Sequence, residues 1–126
     1  MIVDTHLFLW WAEDSPRLSA AARQALGDED ARLLWSVAST WELATKLGLG
    51  KLRLPEPVLD YVTSRLAQQG VETLPIEHRH AATVADLPRH HGDPFDRLLI
   101  AQALCEGLPV VTADPPFEPY GVDVVW

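Results

Sequence analysis

Two short apolar runs, each ending at an aspartate, constrain the fold of this chain more than any other feature. Residues 1–3 carry no polar side chain and stop at Asp4, and residues 108–112 (Leu-Pro-Val-Val-Thr) stop just before Asp114. A strand with one face in water alternates apolar and polar residues, whereas a strand buried on both faces does not, and parallel strands covered by helices meet that second condition. Three more strands are predicted at 33–35, 71–74 and 122–126. Helical spacing fills the intervals, over 5–12, 18–26, 36–48, 56–69, 77–85 and 94–106, and this alternation defines an α/β fold with a parallel sheet of about five short strands. No repeat or biased linker interrupts the pattern, so residues 1–126 are expected to form one domain, large enough to bury about two-thirds of its unfolded surface.

The helix from Ser36 places Val37, Trp41, Ala44 and Leu47 on one stripe, with Gly48 and Gly50 supplying the stop. That stripe reads as core-facing; Trp41 and Trp35 are expected inside, and Glu42 falls on the exposed side. The last helix opens with Asp93 as N-cap and Pro94 at the first helical position, and its apolar run from Leu98 to Ala101 implies burial on most sides. Phe8, Leu9, Trp10 and Trp11 crowd one short helix beyond the needs of a single core stripe, which points to contact with another chain. The single cysteine, Cys105, reads as a small core residue outside any CxxC or Cys/His ligand set. No stretch approaches the ~18 apolar residues of a membrane span, and the first residues lack the basic lead of a signal peptide, so a soluble cytoplasmic protein is expected.

The net charge of −8, from 18 acids and 10 bases, argues against a protein that grips nucleic acid through a broad positive surface. Position singles out a few of the acids. Ligands of an open parallel sheet bind outside the carboxyl ends of its strands. Asp4 and Asp114 both follow strands there. Asp96 opens a helix that feeds the strand before Asp114, so it starts at the same edge, and Glu42 lies two turns into the helix after the second strand. Carboxylates about 4 Å apart repel by roughly 4 kcal/mol per pair at an effective dielectric near 20, and a divalent cation relieves that repulsion. An all-oxygen ligand set favours Mg²⁺ or Mn²⁺, whose chemistry with water suits phosphodiester hydrolysis. Taken singly, each acid also has an ordinary use: Asp93 and Asp96 as a helix start, Asp4 and Asp114 as turn residues, Glu42 as surface.

Other side chains flank this arrangement. Thr112, two positions before Asp114, points to the same side and serves either a water or ligand or the backbone. His6, His90 and His91 do not make a zinc site, because adjacent His90 and His91 cannot easily share one tetrahedral ion. His6 is placed to orient water or a phosphodiester substrate. Lys46, Lys51, Arg53 and Arg97 are candidates for contacts to the phosphates of a nucleic-acid backbone, with solvated surface charge as the alternative.

These segments together resemble the PIN-domain ribonucleases, and among them the VapC-type toxins of bacterial toxin–antitoxin pairs. The resembling residues are Ile2-Val-Asp4-Thr-His6 with Leu9-Trp10; Ser36-Val-Ala-Ser-Thr-Trp-Glu42 with Lys46 and Gly50-Lys51; His91-Gly-Asp-Pro-Phe-Asp96-Arg-Leu-Leu-Ile-Ala-Gln-Ala103; and Val111-Thr-Ala-Asp114 with Phe117, Tyr120 and Trp126. The third is the most specific, and the likeness spans almost the whole chain. It implies a three-layer sandwich of helices around a parallel sheet. It also implies an Mg²⁺- or Mn²⁺-dependent endoribonuclease that leaves a 5′-phosphate and a 3′-hydroxyl, a homodimer, and inhibition by a cognate VapB-type antitoxin. Asp4, Glu42, Asp96 and Asp114 fall at the family's acids, with Asp93 as an extra carboxylate. The short first strand and Pro115-Pro116 after the last acid depart from the pattern.

Two other functions use similar features. Phosphoryl transfer through an aspartyl phosphate shares the sheet and the acids at its edge, but the haloacid-type pattern wants a second Asp two positions after the first, where this chain has His6. A catalytically silent PIN-like module that only binds its antitoxin would not require all four acids.

Overall fold

The structure, a computed structural model, describes all 126 residues. Five strands, β1 (Ile2–Val3), β2 (Leu34–Ser36), β3 (Glu72–Leu74), β4 (Val110–Val111) and β5 (Val124–Val125), form one sheet in the order β3-β2-β1-β4-β5. Every neighbouring pair is parallel. The helices are α1 (Thr5–Ala12), α2 (Ala20–Gly27), α3 (Val37–Gly48), α4 (Val58–Gln69), α5 (His78–Thr83) and α6 (Pro94–Glu106). Short 3₁₀ turns cover Val84–Asp86 and Pro115–Tyr120. The helix expected over 77–85 is thus divided between α5 and the first of these turns, and the second occupies the Pro115-Pro116 segment, where the missing proline N–H groups disfavour a continuous α-helix.

Alternation along the strands builds the layers. Ile2, Leu34 and Val110 lie side by side in the sheet and enter one apolar cluster with Leu99, Ile100, Ala103, Phe117 and Tyr120. Val3, Trp35 and Val111 point the other way, into a cluster with Leu7 and Phe8 of α1, Ala22 and Leu26 of α2, and Tyr61, Val62 and Leu66 of α4. The three central strands β1, β2 and β4 are buried on both faces, as parallel strands covered by helices require, whereas the edge strand β3 exposes Glu72 and Thr73 and the edge strand β5 is half-buried. Phe8, expected at a partner surface with its neighbours, is fully buried and packs on Trp35 with ring centroids 4.5 Å apart. Leu9, Trp10 and Trp11 are only half-buried.

Helix α3 reverses its expected orientation. Its buried residues are Ala38, Ser39, Glu42 and Leu43, while Val37, Trp41, Ala44 and Leu47 face outward. Trp41 is 51% exposed and touches Phe95 edge to face, whereas Trp35 is in the core. The reason lies in α3's location. It starts directly after β2, with Ser36 capping Ala38 N–H, and meets α1, α4 and α6. Its inward side therefore brings Ser39 and Glu42 to the polar carboxyl edge of the sheet, while Leu43 joins the apolar cluster of Val3, Trp35 and Val111. Ser39 accepts a 2.8 Å hydrogen bond from Thr5, and Ser36 donates to the buried Gln102 of α6. Cys105 is half-buried rather than in the core, with its Sγ 3.3 Å from Thr83 Oγ1.

Candidate metal centre

The chain leaves β1 for one side of the sheet and later returns to add β4 on the other, so connections diverge on either side of the β1–β4 pair. A crevice at the carboxyl ends of two such strands follows from the topology. Asp4 comes directly after β1, and Asp114 lies three residues past the end of β4. The N-terminus of α6 brings Asp96 to the same edge, and the inward side of α3 brings Glu42.

Electrostatics record how closely these four acids converge. Asp4 is 4% exposed. Burial, then the charges of Glu42 and Asp114, push its pKa from 3.8 up to about 7, against hydrogen bonds from Thr5 N–H and the Thr112 hydroxyl. Asp96 rises to about 8 through burial and the charges of Asp93, Asp4, Asp114 and Glu42. Both carboxyls are thereby held on the protonated side of their ordinary behaviour, as expected for acids crowded together out of water. Thr112 is buried and accepts a 3.0 Å hydrogen bond from Asp114 N–H, which fixes the start of the loop carrying Asp114.

A cleft of ≈ 220 Å³ opens onto two of the four acids, Asp4 and Asp114, with His6, Trp10, Ala113 and Pro115 completing its lining. Larger hollows of ≈ 540 and ≈ 530 Å³ lie over α2 and the start of α5, and contain none of the four acids.

The PIN domain family model matches residues 1–122 of the chain. The chain belongs to the PIN-domain family. It is 37% identical over 115 residues to Ribonuclease VapC22 of Mycobacterium tuberculosis, a match covering 90% of this chain and 86% of that protein. Among solved structures, DNA-bound VapBC from Salmonella typhimurium superposes with a TM-score of 0.72 at 21% identity, over 98% of this chain and 94% of that one. VapBC2 from Rickettsia felis, bound to a DNA fragment from their promoter, gives 0.71 at 15% identity, over 98% and 95%. These two likenesses are of fold.

Within this PIN domain the remaining polar groups take distinct places. Asp93 is the α6 N-cap: its Oδ1 accepts from Phe95 N–H at 2.9 Å and from Asp96 N–H at 3.0 Å. Lys46 donates to the buried Glu42 carboxylate at 2.6 Å and lies 3.2 Å from His6 Nε2, so the ammonium is bound to the acid cluster. Lys51 and Arg53 are exposed beyond the end of α3. The Arg97 guanidinium donates to Pro88 O at 2.8 Å, Val84 O, Leu87 O and Tyr120 Oη, which leaves it holding the 84–88 segment rather than facing outward. His6 is exposed on the cleft, His90 packs edge-on against Tyr120, and His91 reaches both Tyr120 and Asp96.

The donor set fits a hard divalent cation, since four carboxylates offer oxygen atoms and their mutual repulsion calls for positive charge. Their spacing is looser than a closed cage. The one trio of acid and histidine side chains whose ligating atoms all fall within 4.8 Å of one another is Glu77, His80 and Glu106, on α5 and α6. That trio is satisfied internally. His80 Nδ1 accepts from Glu77 N–H at 3.0 Å, its Nε2 is 2.9 Å from Glu106, and Arg79 also pairs with Glu106. Sequence reasoning missed the contacts made by Lys46 and His91. The first was legible as an i, i+4 acid–base pair with Glu42; the second pairs residues 29 apart and left no local signal.

Proposed function

We propose that this PIN domain is an endoribonuclease dependent on Mg²⁺ or Mn²⁺, acting as the toxin of a toxin–antitoxin pair. The observation that carries the reading is the convergence of Asp4, Glu42, Asp96 and Asp114 at one sheet edge, close enough that burial and mutual charge raise Asp4 to about 7 and Asp96 to about 8. The name of Ribonuclease VapC22 supports RNA as the substrate. Asp4, Asp96 and Asp114 would hold the cation, with Glu42 joining directly or through water. A bound divalent ion supplies the charge that offsets the carboxylates and acidifies a water for attack on phosphorus.

The chain's own groups complete the site. Thr112 fixes the loop carrying Asp114, and the Asp93 cap fixes the first turn of α6 under Asp96. Lys51 and Arg53, and Lys46 once it leaves Glu42, guide the phosphate backbone without reading its sequence. Water adds at phosphorus and the P–O3′ bond breaks, leaving a 3′-hydroxyl on one fragment and a 5′-phosphate on the other. The exposed side chains of Val37, Trp41 and Leu47 suit a protein partner, either a second copy or a VapB-type antitoxin. A cytoplasmic setting accords with an RNA substrate, and no helix is long and apolar enough to cross a membrane.

Purified protein with Mn²⁺ should cut a mixed RNA substrate, and chelation, Asp4→Ala or Asp96→Ala should abolish cutting. Undiminished cleavage by both variants would remove the proposed centre.

A further inference from the structure

Beside Asp96, outside the ring of four acids, lies a directional chain of hydrogen bonds that the proposed function does not use. Arg97 Nη1 donates to Tyr120 Oη at 3.2 Å, and His91 backbone N–H donates to the same oxygen at 3.3 Å. With its acceptor sites taken by two donors, the phenol has its own proton to give, and the group 2.7 Å away is His91 Nδ1. An Nδ1 that accepts leaves the ring proton on Nε2. That nitrogen lies 3.3 Å from Asp96 Oδ2, the longest link of the chain. The arrangement is held firmly: Tyr120 is 8% exposed, its ring is covered edge-on by His90 and His91, and Arg97 is anchored by three carbonyls.

We propose that His91 is a positioning residue, which holds one oxygen of the Asp96 carboxylate through Nε2–H, with Tyr120 selecting that tautomer, so that Oδ1 is presented to a cation. The inference rests on the metal-centre reading given above. A ligand carboxylate whose outer oxygen is hydrogen-bonded is fixed in rotation, and loss of such a partner typically weakens metal binding 10–100-fold.

Two measurements test it. In the metal-free protein, the imidazole ¹⁵N–¹H correlation spectrum of His91 should show a protonated Nε2 and an accepting Nδ1; a proton on Nδ1 overturns the relay. In calorimetric titrations with Mn²⁺, His91→Leu should bind about 10–100-fold more weakly than wild type. His91→Gln, whose amide N–H₂ reaches about as far as Nε2–H, should recover most of that loss, and Tyr120→Phe should fall between. A purely structural role for the ring predicts equal weakening by Leu and Gln. Equal affinity in wild type and His91→Leu, or no difference between Leu and Gln, overturns the inference and leaves the metal centre standing. Failure of the wild-type protein to take up Mn²⁺ sinks both.

Discussion

Asp4→Asn should make the metal-free protein more stable, and by an amount that grows with pH. The folded state holds the Asp4 proton up to about pH 7, whereas the unfolded chain loses it near the ordinary value of 3.8. Below 3.8 both states are protonated and the group contributes nothing. Between the two values the folded state binds the extra proton, so stability falls as pH rises, by about 1.4 kcal/mol per pH unit. Above 7 the full cost is present, about 4 kcal/mol for Asp4 as an upper figure, and about 2–4 kcal/mol once neighbouring acids relax by taking up protons themselves. Asn keeps the shape and an oxygen to accept from Thr5 N–H, without the charge. For a domain of this size about 1 kcal/mol moves the melting temperature by roughly 3–5 °C, so at pH 8.5 in chelator the variant should melt roughly 6–20 °C above wild type. At pH 5, about 1.2 units above the ordinary value, the gap should shrink to roughly two-fifths of that. Circular-dichroism melts at both pH values suffice. A gap independent of pH, or a variant less stable at pH 8.5, would refute the claim that Asp4 is buried among like charges.

Other substitutions follow from the same geometry. Trp35→Ala should cost about 3–5 kcal/mol in urea unfolding, because a fully buried aromatic leaves a cavity, whereas Trp41→Ala on the outward face of α3 should cost about 1 kcal/mol or less. Asp93→Ala should lower stability by about 1 kcal/mol through loss of the α6 cap, with Asp93→Asn restoring it. Lys46→Met leaves the Glu42 carboxylate, 3% exposed, without its cation, and should cost about 1–3 kcal/mol in chelator, a loss that added Mn²⁺ partly reverses in a thermal melt.

The sheet was legible in the sequence because its signal is local. Strands buried on both faces have no polar residues to interrupt them, and the acids that end Met1–Val3 and follow Val110–Val111 mark the edge where the crevice opens. The strand order was not legible, since nothing in Ile2–Val3 specifies which neighbours it pairs with. The orientation of α3 was misread for a physical reason. Helical periodicity finds the apolar face and assumes it is inward, but α3 turns Ala38, Ser39, Glu42 and Leu43 inward because it borders the acidic crevice, and leaves Val37, Trp41 and Leu47 outside. Arg97 shows the converse limit: its charge suggested phosphate, and its place in the fold commits it to backbone carbonyls.

Anomalous diffraction from crystals soaked in Mn²⁺ locates a bound divalent ion directly. A peak coordinated by oxygens of Asp4, Asp96 and Asp114 is expected, with Glu42 bound to the ion directly or through water. Manganese bound instead at Glu77, His80 and Glu106, or nowhere near Asp4, would contradict the proposed centre.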